Sequence, residues 1–559
     1  MNTTENEKPC LVEAKQGFSV SYKNKLLYSK YNPQITVEKS LENLQITEGT
    51  LILVNSPVLG YGIEILIKKL PKNSVIIAIE KDKNLFEFSK TVDKSFFYKN
   101  TNLQNLFYFN IQSEKEVIEL LTNKNFTKII SCCKRVVKIN LCAIPIEYEK
   151  FYQDAEFLFS NYISQFWKNR ITLVKLGKLY SKNILLNLPK IANSKEIIYN
   201  SIQKPILVFG AGTSLDTTLN QFKLLNIDIN NFFIICVDSA VKSLLKYGIN
   251  PQIVIAVESQ IANEKAFIGI KNKEYLLISD LTSRPNINKI HKNISFIFTN
   301  FTNSNFLDSI NQLNLPIKNF LPLGSVGLYA IDLAIKLRKE NSPIFFTGLD
   351  FSFTVENTHC KNAPARIFKQ NTSNRINSLI NVNSAFKVGS STFKINENQI
   401  FTDKALTNYA TQFKEIFSTV DNLFNLSDIS LFNEKNFNCN KIKNIFPKEI
   451  FAISKFYNLT SKINIENYTK QVDDKNLIQI KKFIINEIDS LNDIKNKLTY
   501  GNTSTENLVK KINQHDYLFI HFPDGNIGAN ENISFLKRVR NEIDFFLKIL
   551  NRSLNQFEE

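Results

Sequence analysis

The stretch Lys204-Pro-Ile-Leu-Val-Phe-Gly-Ala-Gly-Thr-Ser-Leu-Asp216 decides the fold. A short apolar run ends in Gly210-Ala211-Gly212 and passes into Thr213-Ser214, residues that open helices. That order reads as a buried strand, a tight turn and a helix start. Two glycines without a Cβ let a backbone come close to an anion, and the free N–H groups of a helix start favour a phosphate. The loop is not the full G-x-G-x-x-G fingerprint, so a plain turn with a Ser cap is the alternative.

Outward from this loop, the alternation continues. Apolar strand candidates lie at 232–238, 252–258, 275–280, 294–300 and 343–350, with helical patterns at 239–248 and 327–339 between them. Strands alternating with helices indicate a doubly wound parallel sheet. The same alternation precedes it, with strand candidates at 50–56, 73–80, 105–111 and 128–134. After residue 428 long amphipathic patterns take over, at 476–498 and 533–550. The reading is α/β: an N-terminal Rossmann-like domain over 1–165, a helical linker over 166–203, a central doubly wound domain over 204–415 and a C-terminal helical domain over 416–559.

Composition narrows the function. The 559 residues carry a net charge of +17, but the excess Lys is spread along the chain with abundant Asn, Ile and Phe, as A/T-rich codons produce. No block of five basic residues occurs, so specific nucleic-acid binding is not expected, while attraction for anionic substrates is. The seven Cys include no CxxC pair, which argues against a disulfide framework or structural zinc and for a reducing compartment. The start is polar and no apolar run reaches membrane-spanning length, so the expectation is a cytoplasmic protein with no membrane span.

Ligands of open parallel sheets bind beyond the carboxyl ends of the strands. The residues there are Gly210, Gly212, Thr213 and Ser214, then Asp238-Ser239, then Glu258, then Gly324-Ser325 with Gly327 at a second helix start, then Asp350. Asp238 reads equally as a helix cap. Nine residues beyond Asp350 stands His359, one of four His in the chain, in a polar loop where an imidazole suits general acid–base work. His515 and His521, six apart in a strand-like segment, read as structural. The turn around Gly60 and Gly62 followed by Glu80 has the spacing of a ribose-reading nucleotide fold, but Pro57 interrupts it, which favours a scaffold without a working site.

The motifs GAGTSLD (210–216), VDSAVKSLLKYGINPQIVIAVESQ (237–260), LGSVGLYAIDLAIKL (323–337) and FFTGLDFSFTVENTHC (345–360) together resemble the motility accessory factor (Maf) family. These are bacterial flagellin glycosyltransferases whose central domain is related to the 6-hydroxymethylpterin pyrophosphokinase MptE-like domain. The segment around Thr402 and, more weakly, the first domain share the resemblance. The central motifs are also similar to bacterial CMP-sialic acid-dependent sialyltransferases, which implies a GT-A/sialyltransferase-like central domain. By that resemblance Gly210, Gly212 and Ser214 would hold the nucleotide phosphate, Asp238 would lie near the nucleoside, and Gly324, Ser325 and Gly327 would form the opposing wall. Asp350 would face the sugar or ribose. Thr213 stands where Pro is usual, and Ser352 where the sialyltransferases carry a phosphate-assisting Tyr. The implied reaction moves a nonulosonic, sialic-acid-like sugar from CMP to a Ser or Thr of flagellin, with His359 as base; a Mg²⁺ requirement stays open. The alternatives are an ATP/Mg²⁺-dependent pyrophosphokinase using Asp238, Glu258 and Asp350 for the metal, and a non-catalytic flagellin chaperone.

Overall fold

The computed structural model describes residues 8–99, 105–271, 274–395, 397–434, 437, 441–450, 463–473, 475–500, 504–525 and 528–557. Residues 1–7 and Cys439 lie outside that set. Contacts divide the chain into two units, Met1–Lys175 with Phe522–Gly528, and Leu176–His521 with Ala529–Glu559.

The first unit is built on a parallel sheet of β1 (Thr50–Asn55), β2 (Val75–Glu80), β3 (Leu106–Asn110) and β4 (Arg135–Asn140), in the order β3-β2-β1-β4. Every residue of β1 and β2 is buried, as expected for runs of branched apolar residues covered on both faces. The fourth strand differs from the sequence reading. Asn123 caps a helix over Lys124–Ile130 by accepting from the Asn125 and Phe126 amides, so the run at 128–134 is helix end and turn. The next run, with Val136, Val137 and Ile139, supplies β4 instead.

The second unit contains a nine-stranded sheet: β5 (Ile206–Phe209), β6 (Phe233–Val237), β7 (Ile253–Ala256), β8 (Leu276–Asp280), β9 (Ile294–Thr299), β10 (Lys318–Phe320), β11 (Ile344–Thr347), β12 (Leu423–Asn425) and β13 (Lys443–Asn444). The order is β10-β9-β8-β7-β6-β5-β11-β12-β13, and every pairing is parallel. The chain steps outward from β5 to β10, then returns to lay β11 on the other side of β5. The doubly wound sheet thus has its switch point between β5 and β11, where such folds open a crevice.

The helices that matter here are α1 (Ile146–Asn187), α2 (Ser214–Leu224), α3 (Val326–Leu337), α4 (Pro364–Thr372), α5 (Lys404–Phe417), α6 (Lys475–Tyr500), α7 (Thr505–Gln514) and α8 (Ile533–Asn555). Helix α3 buries eight of its twelve residues, because it lies on β5, β6 and β7. The expected linker is not a separate piece: α1 supplies its first part to the first unit and its last turns to the second.

Strands continue past the expected boundary at 415. β12 and β13 extend the large sheet, and Thr469–Gln471 pairs antiparallel with Lys195–Ile197. These pieces are too short and polar to show a period-two pattern. The segment with His515 and His521 is no strand; it leaves α7 through a single 3-10 turn at Asp516–Leu518. His515 is held between Glu487 Oε2 at 3.0 Å and Ser490 Oγ at 2.8 Å, a structural role. No helix among the described residues is long and apolar enough to cross a membrane.

Candidate functional site

The loops after β5 and β11 meet at the switch point. The Gly210 amide donates to the Thr347 carbonyl at 2.8 Å and the Gly212 amide to the Gly348 carbonyl at 2.7 Å. A Cβ on Gly210 would lie 2.2 Å from the Gly348 oxygen, and one on Gly212 would lie 2.4 Å from Asp350 Oδ2. Neither glycine has a positive φ, so their need is closeness rather than a left-handed turn; Gly348, at φ 70°, needs both. The glycines expected to admit an anion instead admit the neighbouring loop.

Asp350 completes this contact. Its Oδ2 accepts from the Ser214 amide at 2.9 Å, and its Oδ1 accepts from Ser214 Oγ at 2.5 Å and Ser427 Oγ at 2.9 Å. Thr213 Oγ1 stands 3.4 Å from Oδ2. Burial raises the Asp350 pKa, and the Ser214 and Ser427 bonds oppose that rise. The carboxylate therefore occupies the first turn of α2, where the helix dipole and free amides favour a negative charge. Two sequence expectations change. Asp350 turns inward rather than facing sugar or ribose, and Ser214 serves Asp350 rather than a phosphate. The next residue, Phe351, is in the left-handed region at φ 49°, and its carbonyl accepts from the buried Thr402 hydroxyl at 2.9 Å. Ser352, at the place of the sialyltransferase Tyr, is buried and donates to the Ile429 carbonyl at 2.9 Å.

The part of the glycine loop left for a ligand is its rim. Gly212 and Thr213 are half-buried. The amides of Ala211 and Thr213 have no protein acceptor among the described residues. These two amides flank Gly212, whose own amide is taken by Gly348, and free backbone donors of this kind suit an anion.

The second glycine turn is tied to the first by Leu349. A Cβ on Gly327 would lie 2.3 Å from Leu349 Cδ2, and a Cβ on Gly210 would lie 2.4 Å from the same atom. Gly327 is thus a packing residue. Ser325 caps α3, accepting from the Gly327 amide at 3.3 Å. Gly324 is exposed; its amide donates to Gln412 Oε1 at 3.0 Å, and the Tyr409 ring lies against its Cα. Tyr409 and Gln412, on α5, bring half-buried polar groups to this wall that the sequence reading did not single out. Their only signal was their place in the segment that follows Thr402.

At the ends of β6, β7 and β8 stand Asp238, Glu258 and Asp280. Asp238 is buried, accepts from its neighbour's Ser239 amide at 2.6 Å, and caps no longer helix. Burial first, and the Glu258 charge last, push its pKa up to about 6, against the bonds from Ser239. Glu258 is exposed and accepts from the Ser259 and Gln260 amides at 3.0 and 3.2 Å. Asp280, which ends its strand and was missed, is buried and accepts from the Thr282 amide and hydroxyl at 2.8 and 2.6 Å. From α1, Asn183 and Asn187 donate to carbonyls of Ser259, Leu281, Thr282 and Ser283 and so fix these strand ends. Asp350 is committed to Ser214 and Ser427, and no three His, Cys, Asp or Glu side chains cluster as metal ligands among the described residues.

His359 is brought to the glycine loop. The Cys360 amide donates to the Ala211 carbonyl at 2.9 Å and the Lys361 amide to Asp216 Oδ2 at 2.8 Å. The sequence shows no local signal for this docking, since 149 and 145 residues separate the two pairs of partners. Burial lowers the His359 pKa, and Nδ1 lies 3.1 Å from Thr358 Oγ1. A half-buried imidazole whose neutral form burial favours is suited to accept a proton.

The first unit has its own strand-end carboxylate, Glu80. It accepts from Ser56 Oγ at 2.7 Å and the Asp82 amide at 3.1 Å, and Tyr152 Oη lies at 3.4 Å. Burial pushes its pKa up to about 7. Glu80 is thus turned into its own loop and not toward a ribose. Ser56 and Val58 both take positive φ there, and the Tyr28 hydroxyl, bonded to the Pro57 carbonyl at 2.5 Å, covers the turn.

Comparison with known proteins bears on the fold that carries these loops. A family model described as 6-hydroxymethylpterin diphosphokinase MptE-like matches residues 182–356, from the end of α1 to the loop before His359. The chain is similar to the solved structure of the MAf glycosyltransferase from Magnetospirillum magneticum AMB-1, with TM-score 0.53 and 13% identity over 99% of this chain and 93% of that one. At that identity the likeness is one of fold. It is also 30% identical over 558 residues to an uncharacterized protein of Treponema pallidum (strain Nichols), covering 97% of this chain and 95% of that protein. With that protein the chain belongs to one family, and its central part matches the 6-hydroxymethylpterin diphosphokinase MptE-like model.

Proposed function

We propose that the protein is a glycosyltransferase that moves an acidic, sialic-acid-like sugar from a CMP donor to a Ser or Thr hydroxyl of flagellin. One observation carries the reading: the His359 segment is docked, through Cys360 to Ala211, on a switch-point loop with two unengaged amides. In this account the Ala211 and Thr213 amides hold the donor phosphate. The acceptor oxygen attacks the anomeric carbon, the bond from that carbon to the CMP phosphate oxygen breaks, and His359 takes the hydroxyl proton. The phosphate leaves with the electron pair and meets N–H groups instead of water. The name of the Magnetospirillum structure supports the transferase class, and the similarity of the central motifs to sialyltransferases supports the CMP donor. A cytoplasmic reaction on flagellin before export fits the reading.

The pyrophosphokinase alternative asks Asp238, Glu258 and Asp350 to hold Mg²⁺ together. Asp350 is spent on the α2 terminus, which disfavours it. The test is transfer itself. Purified protein is incubated with CMP-activated nonulosonic acid and unglycosylated flagellin, and intact mass is read. A gain of whole sugar residues on flagellin supports the proposal; CMP release without any gain in mass, or diphosphate transfer from ATP, refutes it.

A further inference from the structure

The segment that follows His359 is unlike the rest of the surface. Helix α4 has no buried residue. On it Phe368 is more than half exposed; beyond it Ile376 and Val388 are almost fully exposed, Phe386 is two-thirds exposed, and Ile380 and Val382 are about half exposed. Soluble proteins do not gather this much apolar surface in one short stretch without a use for it. The stretch is no loose end. The Asn381 amide donates to the Val355 carbonyl at 2.7 Å, its side chain donates to the Glu356 carbonyl at 3.3 Å, and Ala385 is buried against Phe353 and Phe401. It is a platform anchored to the chain between Asp350 and His359.

Its charge is one-sided. Residues 357–396 contain no Asp or Glu and carry Lys361, Arg366, Lys369, Arg375, Lys387 and Lys394. Lys387 is paired with Asp403 at 2.6 Å. Lys361, Arg366, Lys369 and Arg375 form no ion pair among the described residues, and Lys265 lies over the Phe368 ring at 4.5 Å.

We infer that residues 366–388 are the docking surface for the acceptor protein, and that they take an acidic segment bearing bulky apolar side chains. The inference rests on the transferase reading. Charge complementarity selects an acidic partner, and exposed apolar anchors are what a protein interface buries at its centre. An anionic membrane has similar chemistry, but it is usually met by a long amphipathic helix, whereas α4 has nine residues and the remaining anchors sit on bends, a turn or the four-residue helix Val382–Ala385. The position decides further: an acceptor hydroxyl must arrive beside His359, and the platform begins seven residues after it.

The test uses the full chain with Ile376→Asp and Val388→Asp together, both fully outward positions, with thermal melting to confirm the fold. Flagellin glycosylation and donor hydrolysis by water are measured in parallel. The expected result is a rise of about tenfold or more in KM for flagellin, with donor hydrolysis unchanged. Arg375→Glu should raise the same KM and flatten its dependence on salt. Normal transfer with an unchanged flagellin KM in the double variant overturns the docking surface alone. Co-sedimentation of the wild type with phosphatidylglycerol vesicles, lost in the double variant while flagellin KM holds, also overturns it in favour of a membrane. A wild type that binds CMP but transfers nothing to flagellin overturns the acceptor assignment on which both proposals stand.

Discussion

Asp350 holds both the amide and the hydroxyl of Ser214, at 2.9 and 2.5 Å, and so ties the end of β11 to the first turn of α2. A protein carboxylate thereby fills the helix terminus that a ligand phosphate would otherwise claim. On the proposed reading, ligand binding falls at the loop rim, at Ala211 and Thr213, and Asp350 is a positioning residue whose loss deforms the site without removing a reacting group.

Asp350→Asn separates these roles. The amide NH₂ would face donors, leaving one or more buried groups unsatisfied at about 1–3 kcal/mol each. The expected outcome is a lower Tm together with weaker nucleotide binding. An unchanged Tm and unchanged nucleotide affinity with lost turnover would make Asp350 a catalytic group instead.

Gly212→Ala should behave the same way for a different reason. Its Cβ would sit 2.4 Å from Asp350 Oδ2 and 2.8 Å from the Gly348 carbonyl, and backbone cannot give way. Overpacking of this kind costs about 1–3 kcal/mol. Thermal melting checks it, with Gly248→Ala as the contrast: nothing lies within 4 Å there, so its cost is the φ of 75° alone.

His359→Gln should reduce transfer about 10²–10⁴-fold and leave nucleotide affinity intact. Because burial lowers the imidazole pKa, the base form persists to lower pH. The acid limb of kcat/KM should therefore fall below the ordinary His value, and Gln should abolish that limb. An acid limb retained in His359→Gln assigns the base elsewhere.

Glu80 makes the first unit sensitive to pH. Its folded pKa is raised to about 7 from 4.5 by burial, so the protonated form is favoured on folding. The associated stability is fully present below pH 4.5 and is lost as pH rises through 7, by roughly 3 kcal/mol in all at about 1.4 kcal/mol per unit. Denaturant melts between pH 5 and 8 should show this loss, and Glu80→Gln should shrink it. A flat profile for the wild type would mean that Glu80 is ionised without penalty.

Much of this architecture was legible in the sequence. The strand runs before Gly210, Asp238, Glu258, Asp280 and Asp350 are dense in branched apolar residues, and burial on both faces is the one reason for such runs. The sheet rule pointed to the loops after β5 and β11, and these loops do meet at the switch point. What each residue does there did not follow. A glycine admits an anion or a neighbouring carbonyl equally well, and only the partner, Gly348 for Gly210 or Leu349 for Gly327, decides. The same holds for Ser214, whose partner lies 136 residues away. The misplaced strand at 128–134 came from reading Ile129 and Ile130 as a β run, where the Asn123 cap starts a helix. The short strands β12 and β13 carry no pattern that two or three residues could display.

The central claim is that the rim of the β5 loop binds the phosphate of a CMP-activated donor. Thermal-shift titration with CMP, CDP, UDP and ATP, each with and without Mg²⁺, tests it most directly. The account predicts saturable stabilisation by CMP that exceeds the shift from ATP–Mg²⁺ and is lost in Gly212→Ala. Stabilisation by ATP–Mg²⁺ with none from CMP would contradict it.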